Sequence, residues 1–526
     1  MRARTAISFG VLLGCCVVAS GCSDSKSQEN LNDAGQDAGS DGAGLGDGST
    51  NPITSSCIED LSVPDSCGDG SCDENELCGN CAHDCGACAD SAPSVLRGPY
   101  LQVGTTSSVI VKWRTLNATD SVVAYGLSPD TLSWVTRSDT NTTEHEVTLS
   151  DLCPYADYYY AIGSSTATLV GGDADHVFRT SPEPGQIDHT RIWMIGDSGQ
   201  AGSGQRAVRD HYLQYTGEQG TDVWIMLGDN AYSNGTDQDF QDAVFDPSGT
   251  DGYAELLRQQ VVWPTIGNHE HTGNSNAPYF DIFTLPTQGE AGGVPSGTER
   301  HYAFDYGDIH FVVLDSDTES NDSDALSLLE IDLQANDKTW LIAYWHHPPY
   351  SNGAHKTDDE GAMTSMRENF VPLLESYGVD LVFTGHSHSY ERSALLYGHY
   401  DTSDTLDKEM VLARNSDTDW ADGDPDSDGA YLKSTDCIQL SGQQSAPGTC
   451  GSVYSVVGSS SKISDSDFPT RYNGGVLMPM MITYQKTMGS VVIDISGNTA
   501  DVVFLDAGSS GNPDYVISDH YQLVKP

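Results

Sequence analysis

The feature that most constrains this fold is a series of five apolar segments, each followed directly by a short polar motif. The motifs are Gly196-Asp197-Ser198-Gly199, Gly228-Asp229-Asn230-Ala231-Tyr232, Gly267-Asn268-His269-Glu270, His346-His347-Pro348-Pro349 and Gly385-His386-Ser387-His388. Stretches with helical spacing of apolar residues lie between them, as in residues 363–377. This alternation predicts an α/β layer fold, whose sites lie beyond the carboxyl ends of the strands. We therefore expect the five motifs to meet, with glycines allowing sharp turns before four of them.

The motifs carry seven oxygen and imidazole donors: Asp197, Asp229, Tyr232, Asn268, His346, His386 and His388. Taken singly, an Asp after a strand is usually a cap or turn residue, and a lone His is more often structural than a ligand. Seven donors at five successive strand ends indicate instead a pair of cations that share one carboxylate. Two cations about 3.5–4 Å apart are the arrangement used for in-line phosphoryl displacement.

These five motifs, in this order, resemble those of the calcineurin-like metallophosphoesterases and, within them, the purple acid phosphatases. The continuation Ser389-Tyr390-Glu391-Arg392 fits the same pattern. The resemblance covers roughly Ser94 to the C-terminus. It implies a metallophosphoesterase β-sandwich flanked by helices, as the catalytic domain, over residues 188–526.

The resemblance also implies a ligand set. Asp197, Tyr232 and His388 would hold a ferric ion, and Asn268, His346 and His386 would hold a divalent Zn, Mn or Fe ion, with Asp229 bridging the two. A hard trivalent cation favours carboxylate and phenolate oxygens, whereas a divalent ion accepts imidazole and amide oxygen. Tyr232 discriminates, because relatives outside the purple group generally lack a phenolate there; a buried structural tyrosine is the alternative. His347 would support a ligand, or be the ligand itself if the alignment slips by one residue.

The implied activity is that of an exported acid phosphatase, which hydrolyses phosphate monoesters with a metal-bound hydroxide. His269 would donate a proton or hydrogen bond near the leaving group, and His355 would lie on the substrate side. A phosphodiesterase or nucleotide-hydrolysing relative with the same ligands is an open alternative. A catalytically silent binding protein is another, but it predicts lost ligands, and all seven are present.

Residues 94–183 show short alternating strands at 109–113, 122–126, 144–150 and 157–163, the pattern of a β-sandwich. Residues 152–158 resemble the tyrosine corner of fibronectin type III domains. Because no titratable cluster is gathered there, we expect this domain to be a scaffold.

The N-terminus reads as an export signal. Arg2 and Arg4 precede a short apolar run that ends before Cys22, and residues 19–22 resemble a bacterial lipobox, so residues 1–22 are interpreted as a signal peptide with possible lipidation of Cys22. Residues 23–56 contain almost no aliphatic side chains and predict a flexible linker.

Ten cysteines remain beyond the signal, an even number that indicates disulfides in an exported chain. Residues 57–89 form a Cys-rich module too small to fold without cross-links, with zinc binding by its CxxC pairs as the alternative. Cys437 and Cys450 are expected to pair locally, which leaves Cys57 for Cys153.

The sequence is strongly acidic: 24 Lys and Arg against 76 Asp and Glu give a formal net charge of −52. Such a chain does not bind nucleic acid or an anionic membrane through a basic face. The expected partner is the small phosphate ester that the resemblance implies, and a lipid at Cys22 is the only expected membrane contact. Residues 401–450 are a polar excursion. Asp424–Gly429 imitates half of a calcium loop, but position twelve is Thr435, so an acidic loop is favoured.

Overall fold

The computed structural model describes Cys57 and residues 94–271, 277–416, 419–435, 450–464, 478–508 and 515–526. The predicted signal peptide, the linker, Cys437 and all of the Cys-rich module except Cys57 lie outside these residues. Within the described residues, no helix is both long and apolar enough to cross a membrane.

The N-terminal domain is all β and is organised around one long strand. Its strands are β1 (Val95–Gln102), β2 (Val109–Gly126), β3 (Trp134–Leu149), β4 (Asp157–Ser164), β5 (Ala167–Gly171) and β6 (Val177–Arg179). Strand β2 pairs antiparallel with β1, β3 and β4. The predicted strands 109–113 and 122–126 are therefore the two ends of β2, because β3 pairs with both halves across register shifts near Thr119.

The predicted tyrosine corner is present. The backbone N–H of Cys153 donates to the hydroxyl of Tyr158 at 2.8 Å, and the Tyr158 ring is buried against Phe178. Cys153 forms the predicted disulfide with Cys57. Cys450 is also disulfide-bonded, while its predicted partner lies outside the described residues.

The C-terminal domain contains two seven-stranded mixed sheets. In sheet order, the first runs β17, β22, β21, β20, β7, β8, β9 and the second β10, β11, β12, β13, β18, β14, β19. Their strands, with the small pair β15–β16, are β7 (His189–Ile195), β8 (Val223–Met226), β9 (Val262–Pro264), β10 (Tyr302–Tyr306), β11 (Ile309–Val313), β12 (Trp340–Tyr344), β13 (Leu381–Thr384), β14 (Tyr390–Ser393), β15 (Arg414–Ser416), β16 (Asp419–Trp420), β17 (Tyr431–Leu432), β18 (Val453–Val457), β19 (Met481–Gln485), β20 (Gly489–Ser496), β21 (Thr499–Asp506) and β22 (Val516–Val524).

The two sheets enclose the main core, as the side-chain alternation of β12 shows. Ile342 and Tyr344 belong to the core that also holds Trp193 and Ile225 of the first sheet. Leu341 and Ala343 point the other way, into a second core closed by helices. The predicted β-sandwich flanked by helices is confirmed.

The described helices are short. They are α1 (Ser203–Thr216), α2 (Asp237–Ala243), α3 (Ala254–Leu257), α4 (Asn268–His271), α5 (Ala277–Ile282), α6 (Ser323–Ala335), α7 (Gly361–Ser365), a π-helical turn (Met366–Phe370) and α8 (Val371–Ser376), with 3₁₀ turns at Gly217–Gln219, Thr357–Asp359, Ser403–Thr405 and Lys408–Met410. The helix predicted over 363–377 corresponds to α7, the π turn and α8.

Charged contacts join the two domains at the start of α2. Arg97 and Arg114 of the N-terminal domain both donate to the carboxylate of Asp237. The Tyr100 hydroxyl also donates a hydrogen bond to the Ile282 carbonyl. Together, these contacts attach the N-terminal domain to the C-terminal domain.

Candidate metal centre

All five polar motifs follow the carboxyl ends of strands, as predicted, but the strands belong to two sheets. Strands β7, β8 and β9 run parallel in the first sheet, and β12 and β13 run parallel in the second. The sandwich therefore delivers three motifs from one sheet and two from the other to a common edge.

The backbone at these strand ends adopts a conformation that residues with side chains rarely take. Asp197, Asp229 and His386 have φ values of 53°, 50° and 66°. Each such left-handed residue costs about 1–2 kcal/mol, and strain of this kind is concentrated at functional sites. The glycine before Asp229 has φ 87°, and a Cβ there would lie 2.6 Å from Nδ1 of His346.

The first group of donors surrounds the hydroxyl of Tyr232. This oxygen lies 2.8 Å from Oδ1 of Asp197, 3.0 Å from Oδ2 of Asp229 and 3.2 Å from Nε2 of His388. Burial, and then the charges of Asp197 and Asp229, raise the pKa of Tyr232 well above its ordinary value. A phenolate can therefore exist here only if a cation offsets the two carboxylates.

The second group surrounds the side-chain oxygen of Asn268. Oδ1 of Asn268 lies 3.1 Å from Nε2 of His346 and 3.0 Å from Nδ1 of His386. Oδ1 of Asp229 lies 3.4 Å from the same nitrogen of His346. Asp229 thus presents one carboxylate oxygen to each group.

The hydrogen-bonding of His346 tests whether this site suits cations. Nδ1 of His346 donates to the carbonyl of Leu227 at 2.9 Å, because a carbonyl oxygen can only accept. In the neutral ring, Nε2 then carries a lone pair aimed at two oxygen acceptors. Burial alone would lower the pKa of His346, but the charge of Asp229 raises it to about 10. Positive charge is favoured at this point, so the donor set fits a cation.

Comparison with known proteins gives the same picture. Residues 190–390 match the calcineurin-like phosphoesterase family, and residues 97–180 match the purple acid phosphatase N-terminal domain. The chain therefore carries a calcineurin-like phosphoesterase domain behind a purple acid phosphatase N-terminal domain. The predicted family resemblance, including that of the N-terminal domain, is confirmed.

Individual relatives are distant. Purple acid phosphatase 15 of Arabidopsis thaliana is 29% identical over 278 residues, or 48% of this chain and 50% of the relative. Purple acid phosphatase 1 of Ipomoea batatas is 31% identical over 261 residues, or 47% of this chain and 51% of the relative. The chain thus spans about half the length of these two proteins.

A solved structure of purple acid phosphatase PPD1 from yellow lupin (Lupinus luteus) shares the fold. Its TM-score is 0.59 over 81% of this chain and 74% of that chain, at 16% sequence identity.

The buried carboxyl group of Glu270 in the phosphoesterase domain holds the backbone of two motifs in place, a role that the sequence did not predict. Its two buried oxygens accept four backbone N–H groups, those of Gly267, Asp229, Asn230 and Ala231. Burial and the nearby charge of Asp229 raise the pKa of Glu270 to about 8. The carboxyl group therefore ties two of the five motifs together, and only its place in GNHE, one residue after His269, hinted at this.

The two histidines predicted to act on substrate pack against different donors. The His269 ring packs edge-on against Tyr232, with centroids 4.7 Å apart. The His355 ring lies over His386, with centroids 3.9 Å apart. Glu360, which sequence reasoning missed, accepts hydrogen bonds from both His355 and His386 at 2.7 and 3.0 Å.

His347 lies close to the donor groups, but its Nδ1 is directed toward Ser316. Its backbone N–H and its Nδ1 both bond to Ser316, and its ring lies 4.3 Å from that of His386. His346, not His347, is the residue beside Asn268 and Asp229.

His310 lies away from the centre, in the core of the phosphoesterase domain, between Asp305 and Asp332. Among the described residues, two groups of side chains could hold a metal ion: His355, Glu360 and His386, and Asp197, Asp229 and His388.

Proposed function

We propose that this protein is an exported acid phosphatase that hydrolyses phosphate monoesters with a binuclear centre of Fe(III) and a divalent Zn, Mn or Fe ion. The observation that carries the proposal is the position of Asp229, whose two oxygens face two separate groups of donors. A shared carboxylate between two donor groups is what a pair of cations on a phosphoester requires.

In this proposal Asp197, Tyr232 and His388 would hold the ferric ion, Asn268, His346 and His386 would hold the divalent ion, and Asp229 would be shared between them. Such cations, when bound, polarise a phosphoryl oxygen and lower the pKa of water. The ligand residues provide the orientation. Oδ2 of Asp197 accepts the backbone N–H of His386 at 2.7 Å, and Oδ1 of Asp229 accepts that of His269 at 2.9 Å, so each carboxylate is fixed by a second motif.

In this proposal His269 protonates the leaving group. Its Nδ1 donates to the carbonyl of Ser233 at 2.6 Å, which leaves Nε2 directed toward the centre, 3.8 Å from Oδ2 of Asp229. When the ring carries both protons, Nε2–H can pass its proton to a departing alkoxide. His355, held by Glu360, is positioned to donate to a phosphoryl oxygen.

Export is part of the proposal. The disulfide between Cys57 and Cys153 is of a kind that persists in oxidising compartments. The membrane would be reached only through a lipid on Cys22, and the acidic chain offers no face for nucleic acid.

The test is to purify the exported protein and record its metal content, visible spectrum and hydrolysis of phosphate mono- and diesters at acid and neutral pH. We expect one iron and one further metal ion per chain, a purple band and faster monoester hydrolysis in acid. A colourless protein that contains only zinc would contradict the ferric–tyrosinate assignment while leaving hydrolysis intact. A preference for diesters would favour the phosphodiesterase alternative.

A further inference from the structure

A sixth strand end reaches the centre, and the five-motif pattern does not include it. Strand β18 runs parallel to β13, and residues 458–464 follow its carboxyl end. This segment is tied to two of the motifs: the hydroxyl of Ser461 donates to the Asp197 carbonyl at 2.5 Å, and the N–H of Ser464 donates to the His388 carbonyl at 3.0 Å. The position of its one basic residue, Lys462, is therefore fixed relative to the donor groups.

The ammonium group of Lys462 lies over the ring of Tyr232. Its Nζ is 4.8 Å from the centroid of the Tyr232 ring, within range of a cation–π contact. Among the described residues, no carboxylate lies within 4.0 Å of this nitrogen. Lys462 lines a groove of about 500 Å³ together with Gln200, Tyr232 and His269. Because His269 is the proposed proton donor to the leaving group, this groove is where the leaving group lies.

The same groove also contains two carboxylates. Asp239 is held in the capping box of α2, and Asp242 is an exposed residue one turn later. A leaving group that carried only negative charge would be attracted by Lys462 but repelled by these aspartates. A leaving group with one anionic and one ammonium substituent can pair with both signs of charge.

On these grounds, and resting on the proposed function, we propose that the groove is a leaving-group subsite for free phosphorylated amino acids. Lys462 binds the α-carboxylate of a substrate such as O-phosphoserine, and Asp242 attracts its α-ammonium group. In a phosphorylated peptide both groups are consumed in amide bonds, so a phosphoseryl peptide does not satisfy this subsite.

Four substrates separate the two charges: O-phosphoserine, phosphoethanolamine, which lacks the carboxylate, 3-phosphooxypropanoate, which lacks the ammonium, and ethyl phosphate, which lacks both. We expect Lys462→Gln to lower the kcat/KM ratio of O-phosphoserine to phosphoethanolamine about tenfold, the loss of one charge-assisted hydrogen bond. Lys462→Arg should restore most of that ratio. Asp242→Asn should lower the ratio of O-phosphoserine to 3-phosphooxypropanoate about threefold, because an exposed carboxylate is screened by solvent. Lys408→Gln, which removes an exposed lysine elsewhere, is the control for net charge.

Calorimetry with 2-amino-4-phosphonobutanoate and 3-aminopropylphosphonate, which cannot be hydrolysed, measures the same discrimination without turnover. Suppose that the wild-type protein hydrolyses ethyl phosphate and that Lys462→Gln leaves the kcat/KM ratio of O-phosphoserine to phosphoethanolamine unchanged. The proposed subsite is then wrong, and the proposed phosphatase activity is retained. If no ester is hydrolysed but the aminophosphonobutanoate binds in a Lys462-dependent way, the phosphatase is wrong and the subsite stands. Equal binding of both phosphonates to the wild type and to Lys462→Gln contradicts the subsite directly.

Discussion

Tyr232 is the residue on which the identity of the metals depends. Its hydroxyl lies between Asp197, Asp229 and His388, and its high pKa means that it keeps its proton unless a strongly charged cation replaces it. A ferric ion ligated by a phenolate absorbs visible light, whereas a zinc site at the same position would be colourless. If the proposed ferric ion is bound, the colour of the protein reports whether Tyr232 is its ligand.

Replacing Tyr232 with Phe should abolish the visible band while the protein remains folded, because only the phenol oxygen is removed. Hydrolysis should fall, since the first donor group loses one ligand. The absorption spectrum and the iron content measure both effects, with Tyr159→Phe in the N-terminal domain as the matched control. A band that survives in the Tyr232 variant would mean that another residue supplies the phenolate.

The sequence predicted the donors by type and order, but not the groups that hold them. Asp197, Asp229 and His386 occur in short motifs at strand ends, a pattern that can be recognised without a structure. Glu270, Glu360 and Lys462 act through their distances to other chain segments. Those distances are set by the packing of two sheets, which local sequence does not encode.

At the scale of elements, glycines directly precede four of the seven donors and allow the strand ends to approach closely. Gly228 illustrates this for two reasons. Its positive φ favours glycine, and its close approach to the His346 ring leaves no room for a Cβ atom. A Cβ at this position would be strained and would also push His346 away from the Leu227 carbonyl.

Gly228→Ala should therefore lose both stability and metal. Gly249 offers a matched control: its φ is 69°, but an added Cβ would meet no atom within 4 Å. Gly249→Ala should cost about 1 kcal/mol in the free energy of unfolding and retain metal content. Gly228→Ala should cost more and reduce bound metal and kcat/KM by at least tenfold. Equal effects of the two substitutions would show that the contact with His346 is unimportant.

His310 joins two further elements and makes stability depend on pH. Its ring in β11 bonds to Asp305 of β10 at 2.7 Å and to Asp332 of α6 at 2.8 Å. Burial alone would lower its pKa, but the two carboxylates raise the pKa to about 9. Since this value exceeds that of the unfolded chain, about 6.5, the folded state binds more protons between the two values.

The contribution of His310 should be fully present below pH 6.5 and should be lost as pH rises through 9, by up to roughly 3 kcal/mol. Urea unfolding at pH 6 and at pH 9 measures the difference. His310→Gln should flatten this part of the pH dependence, because Gln does not titrate. A variant with the same pH dependence as the wild-type protein would show that His310 is neutral in the folded state.

The alternation of apolar residues was not sufficient to predict the full length of β2 or the sheet to which each strand end belongs. Alternation correctly indicated strands at both ends of β2, but the residues between them contain no alternating apolar face, and only pairing with β3 makes the strand continuous. The strand–helix alternation predicted that the five strand ends meet, but it did not assign each of them to a sheet. They come from two sheets because β7–β9 and β12–β13 each need one face in the shared core.

At the scale of the whole molecule, a chain with a net charge of −52 would, under the proposed function, admit a phosphate ester to its site. The anionic ligands Asp197, Asp229 and Tyr232 would offset only part of the charge of a trivalent and a divalent ion. The centre would then be locally positive inside an acidic surface, which repels a substrate in proportion to its charge.

We therefore expect kcat/KM for a highly charged ester such as ATP to rise severalfold between low and high salt, because salt screens the outer repulsion over about 10 Å at 0.1 M. Phenyl phosphate, which carries less charge, should change less. Initial rates over a salt series at constant pH test this, and flat rates for both substrates would show that the surface charge does not reach the site.

We expect two cations, one on either side of Asp229. Anomalous diffraction from crystals of the purified protein, measured on both sides of the iron absorption edge, can locate and distinguish them. We expect two peaks, one of them iron beside Asp197, Tyr232 and His388, and the other beside Asn268, His346 and His386. A single peak, or iron located away from Tyr232, would contradict this expectation.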